Sequence, residues 1–99
     1  MSAVQFTRNA DGNYRVAGDL VFATVRDLLT ESAPIFIAES KLSIDLSAVS
    51  SADSAGLALL IEWYRMASRA KKPVKFVAVP AQLHALAKIS EIDGLLPFE

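Results

Sequence analysis

The sequence predicts a single α/β domain on a mixed β-sheet, with elements in the order β-β-α-β-α-β-α. Two alternating segments, "AVQFTRN" at 3–9 and "YRVAGDL" at 14–20, flank the turn signal "ADGN", which reads as a β-hairpin. Two short apolar runs, "LSIDL" at 42–46 and "VKFVAV" at 74–79, are each followed by apolar residues at helical spacing. Helices that cross between strands imply parallel neighbours and right-handed connections. Ninety-nine residues supply one hydrophobic core.

In the hairpin, Val4 and Phe6 share one face, as do Tyr14, Val16 and Gly18, and Gly12 is placed to take positive φ. "FATVRDLLTES" at 22–32 carries Phe22, Val25, Leu28 and Leu29 at helical spacing. Pro34 is expected to stop or bend this helix, because the residue before a proline is pushed out of the α region. Residues 33–40 have no assignable pattern. The strand at 42–46 is apolar enough to be buried and central. A helix from about Ser54 to Lys71 follows, then the strand at 74–79, opened by Pro73. Pro80 suits the first turn of a third helix, where its missing N–H is no loss. That helix uses Leu83, Leu86, Ala87 and Ser90, and Gly94 is placed to stop it.

Composition removes several classes of function. The formal net charge is −1 and the ten basic residues are scattered, which disfavours nucleic acid. There is no cysteine and one histidine, so neither thiol chemistry nor a zinc site is expected, and no cofactor is implied. The longest apolar run, "AGLALLI" at 55–61, falls far short of the roughly 20 residues of a membrane span. The first twelve residues lack a secretory apolar region, so the expected location is the cytoplasm, with no direct membrane insertion. Hydrophobic residues make up 53% of the chain, enough to leave some for a partner surface.

The second helix sharpens that point. Leu57, Leu60, Ile61, Tyr64 and Ala67 form one stripe, and Leu59, Trp63, Met66 and Ala70 an adjacent one. The apolar arc spans roughly 220°, where a core-facing helix needs little more than 100°. Packing between the sheet and a neighbouring helix would consume most of it. The part around Trp63 and Met66 is the candidate for docking onto another protein.

"SADSAGLALL" at 51–60 is the candidate site. The serine-before-glycine outline resembles a hydrolase elbow, but a nucleophilic serine needs a base and an orienting acid. No aspartate lies between Ser54 and His84, so a catalytic triad is not expected. No lysine follows the glycine, so it is not a nucleotide-binding loop. Asp53 or Ser54 can cap the helix, a contribution of about 1 kcal/mol. Capping leaves Gly56 unexplained, since glycine in a helix costs on the order of 1 kcal/mol relative to alanine. A backbone that must be approached closely would account for it.

"IDLSAVSSADSAGLALL" at 44–60, "VKFVAV" and "LAKISEIDGLLPF" at 86–98 together resemble the STAS domain of anti-sigma-factor antagonists and sulphate-transporter tails, over nearly the whole chain. "GDL" at 18–20 matches the end of the family's second strand. The resemblance implies a non-enzymatic domain that presents the start of its second helix to a partner. Antagonists of the family are switched by phosphorylation of a serine directly before the glycine, where this chain has Ala55; the hydroxyl sits one place earlier, at Ser54. That arrangement is similar to the STAS subunits of Mla phospholipid transporters. It implies binding to the cytoplasmic ABC ATPase, and through it to the permease, with phosphorylation not expected. The expected partner-binding residues are Asp53, Ser54, Ala55, Gly56, Leu57 and Trp63. The alternative is an anti-sigma-factor antagonist in a phosphorylation-controlled partner switch.

Overall fold

A computed structural model describes residues 4–10 and 12–99. The elements are β1 (Val4–Ala10), β2 (Asn13–Leu20), α1 (Phe22–Ala38), β3 (Leu42–Ala52), α2 (Ser54–Arg69), β4 (Val74–Val77) and α3 (Ala81–Ile89), in the expected order. Ala3 and Asp11, within the expected first strand and turn, lie outside the described residues. Gly12 takes φ 73°, as its place in the turn requires.

The sheet order is β1-β2-β3-β4. β1 and β2 are antiparallel, and β2–β3 and β3–β4 are parallel. Two successive right-handed crossovers to adjacent strands place α1 and α2 on the same face. Packing contacts run from α1 to α2 and from α2 to α3, so α2 is the middle helix. Tyr14, Val16 and Leu20 of β2, Leu42, Ile44 and Leu46 of β3 and Phe76 of β4 are buried, whereas Asn13, Arg15, Ser47 and Lys75 are exposed. The architecture is therefore two layers, with helices on one face of the sheet.

Four elements depart from expectation. α1 runs through Pro34 to Ala38, absorbing most of residues 33–40. Proline removes one helical hydrogen bond, to the carbonyl of Thr30. Thr30 and Pro34 are both exposed, so water can satisfy that carbonyl, while buried Ser32 and Phe36 hold the helix on course from its other side. β3 continues to Ala52, well beyond residue 46, because "SAVSSA" pairs with the second half of β2 through register shifts. β4 ends at Val77, and Ala78 takes φ 56°. Pro80 is the N-cap of α3, accepting from the Leu83 and His84 amides, and does not sit in its first turn.

Gly94 does not stop α3. The helix ends at Ile89, and Glu91 (φ 60°) turns the chain through N–H bonds from Glu91 to Lys88 O and from Ile92 to Ala87 O. α2 ends the same way, with Lys71 (φ 57°) bonding to Ser68 O and Lys72 to Ala67 O. Both are left-handed helix terminations that usually recruit glycine.

Candidate functional site

Asp53 follows β3 and is the N-cap of α2. One oxygen, Oδ1, accepts from the amides of Ala55 at 2.8 Å and Gly56 at 3.4 Å, two of the donors that a helix start leaves free. The capping question between Asp53 and Ser54 therefore resolves to Asp53. Its other oxygen, Oδ2, accepts from the Phe22 amide at 3.3 Å, and its own N–H donates to Leu20 O at 3.2 Å. Ser54 is the first residue of the helix and is exposed; its hydroxyl has no hydrogen-bond partner among the described residues.

Gly56 is explained by the chain itself. A Cβ built there would stand 2.5 Å from Leu20 O and 3.0 Å from Leu20 Cβ. The closely approaching backbone belongs to the end of β2, so Gly56 is a packing residue and not a contact for a partner. Leu57 is likewise buried in the core.

Trp63 must also be reassigned. It is 0% exposed, so it cannot anchor a partner. Its ring lies 5.6 Å from Phe6, 5.7 Å from Phe36 and 6.4 Å from Phe76, and its Nε1–H donates to Ser32 Oγ at 2.8 Å. Ser32 in turn donates to Leu29 O. Trp63 is thus the centre of the core, with its polar edge satisfied. The wide apolar arc of α2 is consumed by the sheet, α1 and α3: Leu57, Leu59, Leu60 and Ala67 are buried, and Ile61, Tyr64 and Met66 are half-buried.

The surplus apolar surface lies instead on α1. Phe22, one of the apolar residues at helical spacing, is 84% exposed. The stripe that α1 buries is Thr24, Leu28, Ser32 and Phe36, at four-residue spacing, and its two hydroxyls hid it from a hydrophobic reading. Thr24 is buried because its hydroxyl accepts from the Val21 amide and donates to Asp19 O, fixing the helix start. Phe22, Val25 and Leu29 are left facing a groove of about 710 Å³ whose other wall is Ala55, Ala58 and Leu59 of α2. Arg26, Asp27 and Glu62 also line it, so its apolar floor carries charges of both signs. The signal that could have pointed to α1 was the polar content of its four-residue stripe: with Thr24 and Ser32 inside, an apolar neighbour is left over.

The Ser54 end of the sheet also gathers Ser51, whose hydroxyl donates to Asp19 Oδ1 at 2.9 Å, and Gln82, whose Oε1 accepts from the Ala52 amide at 3.0 Å. His84 is exposed and meets Phe98 edge-on, with ring centroids 5.0 Å apart. No hydrogen bond links it to Ser54 among the described residues. Among them there is also no group of three His, Cys, Asp or Glu side chains able to hold a metal, and no helix long and apolar enough to cross a membrane. Of the six expected contact residues, Asp53 and Ser54 are exposed, Ala55 is half-buried, and the other three are interior.

The family model described as "Mlab, STAS domain" matches residues 3–97. The chain belongs to this STAS family. Its fold is shared with solved STAS structures of low sequence identity. An anti-sigma factor antagonist from Mycobacterium paratuberculosis is 23% identical, with TM-score 0.79 over 99% of this chain and 89% of that one. The unphosphorylated anti-sigma factor antagonist SpoIIAA is 13% identical, with TM-score 0.75 over 98% and 88%. The anion transporter family member SLC26A9 is 17% identical, with TM-score 0.69; the match covers 93% of this chain and only 19% of the transporter. The STAS fold thus occurs both as a free-standing antagonist and as a small part of a transporter. No curated protein matches the chain in sequence.

Proposed function

We propose that this STAS domain is a non-enzymatic accessory subunit that binds and supports the cytoplasmic ATPase of a phospholipid-transporting ABC complex. Through the ATPase it meets the permease, at the cytoplasmic face of the inner membrane, in a system that maintains outer-membrane lipid asymmetry. The observation that carries this reading is an exposed Phe22 over an apolar groove, beside Ser54 and an Ala55 that leaves the family's switch position without a hydroxyl. Aromatic side chains set over a groove are the usual anchors of protein interfaces. The mixed charges along the groove fit a protein partner better than a lipid surface or nucleic acid.

A second reading rests on a separate observation. Ser54 is exposed and its hydroxyl is unengaged among the described residues, so a kinase would have access to it, as in an anti-sigma-factor antagonist. Purification of a tagged copy from its native cells distinguishes the two. Recovery of an ABC ATPase and permease, with unmodified Ser54, supports the transporter reading. Recovery of an anti-sigma kinase with stoichiometric phosphate on Ser54 overturns it.

A further inference from the structure

Asp53 does more than cap α2. Among the described residues, two side-chain hydrogen bonds join α1 to α2 and its cap. Trp63 to Ser32 lies deep between the helices, and Asp53 to the Phe22 amide lies at the mouth of the groove. The two oxygens of Asp53 divide the work, Oδ1 on the first turn of α2 and Oδ2 on the first residue of α1. Both helix starts carry partial positive charge, and one carboxylate serves both. The Asp53 amide is itself tied to Leu20 O, the atom that Gly56 also approaches, so the carboxylate is held from behind by the end of β2. The Phe22 ring is exposed and has no burial to fix it, while Thr24 anchors the chain only to Asp19 and Val21, upstream of the groove.

We infer that Asp53 is a positioning residue for docking: by bonding the Phe22 amide it sets the distance between the Phe22 anchor and the Ala55–Leu59 wall of α2. This rests on the docking reading above, with the same ATPase as occupant. Asp53 then influences affinity through Phe22 and not through its own contact with the partner.

Asp53→Ser separates the two roles. Serine is as good an N-cap as aspartate, but its single oxygen cannot serve both helices. Amide exchange measured by NMR on the free protein should accelerate about tenfold or more at Phe22, the loss of a bond to a charged acceptor, while Ala55 stays protected. Titration with the ATPase should show Asp53→Ser weakening binding roughly tenfold in the parent chain and by nothing further in Phe22→Ala. Unchanged exchange at Phe22 would overturn the inference, as would an Asp53→Ser loss of the same size in the Phe22→Ala background. Accelerated Phe22 exchange in a chain that never binds the ATPase would overturn the docking reading while upholding the tie between the helices.

Discussion

Trp63, expected at a docking surface, is core, whereas Phe22 is exposed, and for Trp63 the reason lies in hydrogen bonding. An indole buried among Phe6, Phe36 and Phe76 needs an acceptor, and Ser32, one α-helix away, supplies it. That pairing depends on two residues 31 apart in sequence, so a one-dimensional pattern cannot display it. Trp63→Ala should therefore lower stability by about 3–5 kcal/mol, measured by chemical denaturation, as large-to-small changes at buried aromatics do. Gly56 carries a second prediction. Alanine would gain about 1 kcal/mol of helix propensity but place its methyl 2.5 Å from Leu20 O. That carbonyl also accepts the Asp53 amide, so it has little freedom to retreat. Gly56→Ala should destabilise by about 1–3 kcal/mol, and reduced binding would follow from misfolding and not from a lost contact. The presence of a special residue at 56 was legible in the sequence; which backbone approaches it was not.

At the scale of elements, tertiary contacts overrode the local rule at Pro34. The helix pattern before it and the proline itself pointed to an end or a bend near residue 33, yet the helix continues to Ala38, with Ser32 and Phe36 buried on one side while the proline faces water. Removing the proline should restore the missing bond, so Pro34→Ala is expected to raise stability by about 1–3 kcal/mol with the fold unchanged, read from the denaturation midpoint. The same competition explains the other departures. β3 was legible as far as Leu46, where apolar alternation stops; the remaining "SAVSSA" is a strand because β2 lies alongside, which only the assembled sheet supplies. The α3 end was misread because Glu91 adopts the left-handed conformation that sequence reasoning reserves for glycine, as Lys71 also does at the expected end of α2. The element order, the hairpin and Asp53 as one of two candidate caps of α2 were legible because each rests on neighbours within a few residues.

The whole molecule is tied together at the end of the sheet opposite Ser54. Glu39, which ends α1, accepts from the Tyr14 hydroxyl at 2.6 Å and lies 3.6 Å from Arg8 Nε, joining helix and hairpin. The Tyr14 hydrogen bond, aided by the Gly12 amide and by Arg8, holds the Glu39 carboxyl below its ordinary 4.5. Burial, together with Glu39, pushes the Tyr14 phenol above 10.0. A depressed carboxyl contributes stability above its unfolded value, and that contribution disappears as pH falls from 4.5 through the folded one. Glu39→Gln should accordingly flatten the loss of stability below pH 4.5 without altering ATPase binding, since Glu39 is remote from the groove. The central claim, that Phe22 and the groove behind it are where the partner docks, has a direct test. Isothermal titration of the ABC ATPase with the parent chain and with Phe22→Ala isolates the anchor, because an 84% exposed ring can be removed without disturbing the core. The account predicts a complex with the parent chain and a dissociation constant about 30-fold higher for Phe22→Ala, the loss of about 2 kcal/mol typical of an aromatic anchor. Equal affinity for the two proteins would contradict it.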